Sequence, residues 1–399
     1  MKKFLFFFLL LFAFSSGKTQ NYDSLQVSLL TVAPHANALW TKWGHTALRL
    51  RDPVRRIDTV LNWGTFDSEK PNFILNFVEG KTDYCLTAAH FQSVMNNHAV
   101  ERAMVFEQIL NIPDSEKAAL IESLQTNLSP ENYEYRYSFL LDNCTTRPRD
   151  IIERFCGGTL IYPKQTQPVT FRRLIHQYTQ PYPWLRLGID CVIGSGADSL
   201  VSYRNELFLP DKLMDALNGS VVKLPDGSEQ PIVLSTEVIL QSPDSRLHQL
   251  TFWNHPLAIG WIIFLIYLSL SITVYYKKSS HPLHFTLYLL PFTLLFFIAG
   301  AGGCVVTMLN FFSLHPCVQS NWNLIWLHPL HFLAFAAFFF RKSYRWIRWY
   351  HAVNFVLLSG FLLGWYWIPQ ELNIACVPFI LCLWVVSGLQ MVILKHNSK

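Results

Sequence analysis

From Leu257 onward the chain carries five apolar runs, near Leu257–Tyr276, Phe285–Leu309, Leu324–Phe340, Ala352–Ile368 and Ala375–Leu394. Each is close to the ~20 residues a helix needs to cross ~30 Å of hydrocarbon. Inside lipid, every backbone polar group must be satisfied within the chain, so runs of this length are expected to be helical. Residues 257–394 are therefore expected to form a five-helix transmembrane bundle. The charges on its connections set the orientation. Lys277-Lys278, then Arg341-Lys342-Arg345-Arg348, then Lys395 and Lys399 fall on alternate connections, whereas Asn310–Asn323 and Pro369–Ile374 contain no Lys or Arg. By the positive-inside rule the basic connections and the C-terminus are cytoplasmic, and whatever precedes the first span lies outside.

The N-terminus points the same way. Two lysines, an apolar core from Phe4 to Phe14 and then Ser15-Ser16-Gly17 read as a secretory signal peptide over residues 1–20, with cleavage near Gln20. An uncleaved anchor is the alternative, and either one exports the following segment. No cysteine follows the apolar core, so the chain is not itself a lipoprotein of the usual kind. The two signals agree on one multi-pass topology, with the N-terminal domain outside and the C-terminus inside.

Residues 21–253 have mixed charges and turn signals, and are long enough to bury a core of their own as one domain. The net charge of +5 is modest and the basic residues are scattered, which excludes a nucleic-acid surface. Strand patterns cover Leu25–Val32, Trp43–Arg51 and Asp58–Phe66, and recur at Asp83–Thr87 and Ala103–Ile112. A helix is expected over Ser115–Leu128, another over Asp211–Leu217, a loop or short helix over Pro181–Asp198, and a hairpin around Asp226-Gly227. Strands are grouped and no Gly-rich phosphate loop is present, so the class is α+β. On the second strand Leu48 and Leu50 point one way while His45, Ala47 and Arg49 point the other.

The stretch from Tyr133 to Phe155 carries the chemistry. It opens with tyrosines at alternate positions, breaks at Asn143-Cys144-Thr145-Thr146, and continues as a helix with Ile151, Ile152 and Phe155 on one face. Pro148 suits a first turn, and Gly157-Gly158 a stop. Cys144 is expected at the helix N-terminus, where unpaired N–H groups and the dipole stabilise a thiolate, which makes it the candidate nucleophile. The other exported cysteines are Cys85, Cys156 and Cys191; a disulfide within that set is allowed by the compartment, and the sequence does not choose a pair. None of the eight cysteines has metal-ligand spacing, and no metal or cofactor is expected.

A cysteine nucleophile needs a base, and the base needs an orienting group. Among the exported histidines His45 stands out, on a strand face away from the leucines with Gly44 before it. Asn62 on the next strand is the orienting candidate, with Asp67 behind it.

Trp43-Gly44-His45-Thr46-Ala47-Leu48-Arg49, Asn62-Trp63-Gly64-Thr65-Phe66-Asp67 and Asp142-Asn143-Cys144-Thr145-Thr146-Arg147 together resemble the signature of the Bacteroidetes-type lipoprotein N-acyltransferases, called Lnb. Gly188-Ile189-Asp190, Gly194, Asp198, Phe208-Leu209-Pro210 and Asn321 to Trp326 extend the likeness into both halves. The resemblance implies a permuted papain-like (NlpC-like) thiol domain, in which the histidine strand precedes the cysteine helix, as His45 precedes Cys144 here. It also implies transfer of an acyl chain from a phospholipid, through a thioester on Cys144, to the N-terminal amine of a diacylglyceryl-cysteine lipoprotein. The catalytic set would be Cys144, His45 and Asn62, and the partners a phospholipid donor, a diacylated lipoprotein and the membrane. Asn143 and Arg147 beside the thiol are substrate-binding candidates. So are His315 and Asn321, in the loop expected on the same side of the membrane. His328 and His331 lie at i, i+3 without an apparent third ligand. Two other readings compete: a membrane-bound thiol hydrolase or amidase with water as acceptor, and an anchored sensor domain without catalysis.

Overall fold

The computed structural model describes residues 22–35, 38–164, 167–242, 252–277, 282–337 and 344–396. The expected signal peptide, Lys278 and the Arg341-Lys342 pair lie outside them.

Seven strands form one antiparallel sheet: β1 (Gln26–Val32), β2 (His45–Asp52), β3 (Ile57–Thr65), β4 (Asp83–His90), β5 (Val105–Leu110), β6 (Glu134–Arg136) and, late in the chain, β10 (Val233–Leu240). Their spatial order is β10-β5-β1-β2-β3-β4-β6. Alternation decides the two faces. Leu29, Leu48, Leu50 and Leu61 are buried on one side, with Leu120 and Leu124 of the helix Asp114–Leu128 and Ile152 and Phe155 of the helix Thr146–Phe155. Leu30, Val32, Ala47, Val60 and Val105 fill the other face with Met95 of the helix Phe91–Val100. Asp114 and Glu116 in the first turn of the 114–128 helix complement its dipole.

The tyrosine-rich strand is shorter than its alternation suggests: only Glu134–Arg136 pairs, with Asp83–Cys85. The hairpin expected at Asp226-Gly227 is present, between β8 (Val221–Lys223) and β9 (Glu229–Pro231), with the small β7 (Thr159–Ile161) beside β8. The 181–198 stretch is helical, over Pro183–Val192 and then Ser195–Asp198. No two of Cys85, Cys156 and Cys191 are bonded to each other; Cys85 donates to Thr65 O, Cys156 to backbone carbonyls, and Cys191 Sγ lies 3.9 Å from Cys376 Sγ.

The C-terminal region is helical: Pro256–Lys277, Pro282–Phe312, His331–Ala337, Tyr344–Leu363 and Val377–His396. Among the described residues three helical stretches are long and apolar enough to cross a membrane, Pro256–Tyr276, Leu290–Phe312 and Ile374–Ile393. The expected third run differs. Pro329 interrupts it, so Trp322–Ile325 forms a single turn and a new helix begins at His331. Most of the fourth run lies in the helix Tyr344–Leu363, which gives way to a short turn at Trp365–Trp367. The helix takes in Arg345 and Arg348 of the expected basic connection and carries His351 and Asn354, both buried.

The two connections without Lys or Arg meet the N-terminal domain. Ser313 Oγ donates to Val78 O at 2.7 Å, Leu314 N to Glu79 O at 2.9 Å, and the His315 ring nitrogen Nε2 lies 2.6 Å from Phe77 O. Farther along, Asn323 Nδ2 donates to Asp190 O at 2.9 Å, Gln370 Nε2 to Ile193 O at 3.1 Å and Asn373 Nδ2 to Asp190 Oδ2 at 2.8 Å. Asp190 also accepts from Arg172 at 3.0 Å and from His176 at 2.8 Å, and Arg172, fully buried, is held by Asp198 at 2.6 Å. Burial pushes the Asp190 carboxyl up, but His176, Arg172 and Asn373 outweigh it and keep the group ionised. The glycine and aspartate elements at 188–198 thus anchor the N-terminal domain on the connections of the helical region.

Candidate active site

Three chain segments converge at one end of the interior strands β2 and β3. The first is the start of β2, where Gly44 has φ +77° and a methyl group built on it would lie 2.6 Å from Val32 O. Only glycine fits that turn, and it swings His45 onto the face shared with Ala47. The second is the end of β3, where Asn62 lies diagonally across from His45 because Leu48 pairs with Leu61. Beyond it Gly64, at φ +98°, sits in the irregularity between Trp63 and Thr65, and its missing side chain faces Cys144 Cβ. The third is the turn before the helix Thr146–Phe155.

His45 Nε2 lies 2.5 Å from Asn62 Oδ1, and Asn62 Nδ2 donates to Thr65 Oγ1 at 3.3 Å. Thr65 Oγ1 in turn meets Thr87 Oγ1 at 2.9 Å, so the amide is fixed from the neighbouring strand. With Nε2 donating to Asn62, Nδ1 is the nitrogen available to the thiol, and the imidazole hydrogen-bonds the Cys144 sulfur. Burial is the largest single influence on each group. For His45 it acts downward, yet the Cys144 charge and the bonds to Cys144 and Asn62 prevail and raise the imidazole above its ordinary value. For Cys144 burial acts upward, but the His45 charge and hydrogen bond, the Thr46 N–H and the Thr145 hydroxyl together bring the thiol below its ordinary value. Opposite shifts of two neighbouring groups narrow the gap between them and so favour passing the thiol proton to the imidazole.

The helix N-terminus contributes differently from expectation. The helix starts at Thr146, and the N–H groups of Thr145 and Thr146 already donate to Asn143 Oδ1, at 2.8 and 2.9 Å. Asn143 Nδ2 donates to Phe139 O at 2.8 Å and Phe208 O at 3.0 Å. Its side chain is buried and its amide fully engaged, so Asn143 shapes the turn that presents the thiol. Arg147 is likewise engaged, in a two-point pair with Asp142 at 2.5 and 2.6 Å and 4.0 Å over the Tyr135 ring. His315 and Asn321 make their described hydrogen bonds with other residues. His315 is tied to Phe77 O, and the buried Asn321 donates to Cys191 O at 2.9 Å and accepts from Asn323 N, so both act at the domain junction. Asp67 does not back the histidine either; it accepts from Glu69 N in its own exposed turn. His328 and His331 stack at 3.9 Å, and both His331 nitrogens are engaged, by Tyr350 OH and Trp326 O.

Sequence reasoning missed two contributors. Thr46 reaches the sulfur through its backbone N–H, which no side-chain pattern announces. Tyr135 and Tyr137 lie within electrostatic reach of Cys144, with Tyr137 stacked on Tyr84 at 4.1 Å. Burial pushes both hydroxyls up, and the Cys144 charge adds to it, so both stay neutral. The alternating tyrosines before the cysteine were the available signal.

Comparison with known proteins agrees with this architecture. A model of the Lnb N-terminal periplasmic domain matches residues 13–177, and a model of the Lnb transmembrane domain, labelled as five transmembrane helices, matches residues 248–398. No curated protein and no solved structure matches the chain. With its N-terminal part matched to the periplasmic domain and its helical part to the transmembrane domain, the chain belongs to the Lnb family of lipoprotein N-acyltransferases, as a membrane protein with a periplasmic N-terminal domain.

Proposed function

We propose that the protein moves an acyl chain from a phospholipid to the α-amine of a diacylglyceryl-cysteine lipoprotein, by way of a thioester on Cys144. The observation that carries this reading is the Asn62–His45–Cys144 relay with its oppositely shifted imidazole and thiol. The Cys144 thiolate attacks the carbonyl carbon of the lipid ester. As the C–O bond breaks, the lysophospholipid alkoxide takes the proton that His45 holds on Nδ1. The lipoprotein amine then attacks the thioester carbonyl and His45 accepts its proton. The C–N bond forms, the C–S bond breaks, and the thiolate is restored. Asn62 keeps the imidazole in the orientation that both transfers require. With the Thr145 and Thr146 N–H groups taken by Asn143, the Cys144 N–H would hold the oxyanion of each tetrahedral intermediate.

The fold class that goes with this reading is a permuted papain-like domain, supported by the order of the histidine strand before the cysteine helix. The inner membrane is the proposed location, with the C-terminus cytoplasmic. Hydrolysis by the same thiol, with water as acceptor, is the competing reading. The test is mass spectrometry of a lipoprotein N-terminus in cells without other N-acyltransferases. Wild-type protein should add a third acyl chain, while Cys144→Ser and His45→Ala at matched expression should not. An unchanged lipoprotein mass with wild-type protein would refute transfer and leave lysophospholipid release as the activity to measure.

A further inference from the structure

The short helix Phe73–Val78 reads Phe-Ile-Leu-Asn-Phe-Val, and on the surface of a soluble domain it is out of place. Ile74 is 77% exposed, and Leu75 and Phe77 are each 46% exposed. Its C-terminal end is bolted to the loop after the helix Pro282–Phe312 by the Ser313, Leu314 and His315 contacts to Val78, Glu79 and Phe77. That loop continues a helix end whose Phe311, Phe312 and Leu314 are exposed apolar groups, as the lipid-facing rim of a membrane span should be. Between the short helix and Met308 of the span lies an open groove of about 550 Å³, lined also by Ile74, Leu75 and Val78. From the groove, ring contacts lead toward the thiol. His315 meets Phe77 at 5.7 Å, Phe77 meets Phe73 at 6.3 Å, and Phe73 stacks on Phe66 at 5.5 Å. Phe66 touches Trp40 at 5.8 Å, and it follows closely on Gly64, the residue that faces Cys144 Cβ.

We infer that this groove and the Phe77–Phe73–Phe66–Trp40 stripe form the path by which one fatty acyl chain of a membrane phospholipid leaves the outer leaflet and reaches Cys144. The inference rests on the proposed thioester chemistry and adds the donor's route to it. The occupant is an acyl chain because five of the eight lining residues are apolar, Ser68, Lys70 and Asn72 being the others, and because the groove adjoins the end of a membrane-length helix to which Phe73–Val78 is held by hydrogen bonds. The groove's volume falls within the ~300–1,000 Å³ usual for small-molecule sites. Ile74 and Leu75 are specificity-determining here, since every methylene they cover adds to the preference for a long chain over a short one.

The test uses the full-length protein and follows the acyl adduct on Cys144 by intact mass spectrometry. The donors are vesicles of dipalmitoyl phosphatidylethanolamine and phosphatidylglycerol, and soluble dihexanoyl phosphatidylcholine. For Ile74→Ser and Leu75→Asp the ratio of long-chain to short-chain acylation rates should fall at least about tenfold, while Ile74→Val should hold it within about twofold. The exposed positions make misfolding a minor concern, and the short-chain rate of the same variant reports on it directly. An unchanged ratio overturns the route. So does a variant that acylates normally and slows only transfer to a diacylated peptide, because the groove would then serve the acceptor. If wild-type protein forms no adduct from either donor, the thioester reading itself fails and takes the route with it.

Discussion

Replacing Asn62 by alanine removes the group that orients His45, and the size of the effect can be worked from one contact. The Nε2–Oδ1 distance is 2.5 Å, and the imidazole it serves becomes charged when it takes the thiol proton. A hydrogen bond to a charged group is worth about 1.5–3 kcal/mol, and each 1.4 kcal/mol or so is tenfold in rate, so Cys144 acylation should slow about ten- to hundredfold. The pH profile supplies a readout that mere loosening would not move. The Asn62 bond is one of the influences raising the imidazole, so its loss should move the alkaline limb of activity to lower pH. Asn62→Asp places a carboxylate there and should move that limb to higher pH. The assay is the initial rate of adduct formation from a short-chain lipid ester between pH 5 and pH 10, a range spanning ordinary imidazole and thiol values. A loss under about twofold, or limbs that move the same way in both variants, would refute the orienting role.

Four further outcomes follow from the same geometry. Iodoacetamide should alkylate Cys144 at pH values below the ordinary thiol value of 9.0, with reactivity lost as pH falls through its lowered value; His45→Ala should move the half-point upward, and an unmoved half-point would break the pair. Gly64→Ala should cost about 1–2 kcal/mol of stability from its positive φ, seen in thermal unfolding, and should depress acylation as well because the new methyl faces Cys144. Asn143→Ala removes a helix cap worth about 1 kcal/mol and also strands buried carbonyl partners, so it should lower the unfolding midpoint more than Arg147→Ala does; equal midpoints would contradict its buried role. Arg172→Leu leaves Asp190 buried without its cation and should cost about 3–5 kcal/mol, read as early protease cleavage between the domains in membranes.

Much of the architecture was legible because it depends on local rules. Alternation along β2 placed Leu48 and Leu50 in one core and Ala47 in the other, and the pattern of Lys and Arg identified the two connections that touch the N-terminal domain. The third apolar run misled for a local reason too: its hydropathy is continuous, but Pro329 divides the helix. Asn62 was a guess from strand adjacency; the register that sets it diagonal to His45 is a property of the pairing and not of the residue. Asn143 and Arg147 illustrate the converse. Polar residues beside a nucleophile invite a substrate role, and only the folded chain reveals Phe139, Phe208 and Asp142 as their partners.

By itself, then, the sequence determined where the chain meets lipid, which side the soluble domain occupies, the α+β class, and the identity of a cysteine and a histidine suited to each other. Those follow from composition, periodicity and charge, which act over a few residues at a time. Tertiary structure decided how the thiol is tuned, by the Thr46 N–H and His45 in place of the helix end, and what the other polar residues do. It also brought Phe73–Val78 against the end of a membrane helix distant in sequence, forming a groove with Met308 that neither segment encodes alone. Such contacts form only when non-local strands and helices pack, and no pattern within one segment carries them.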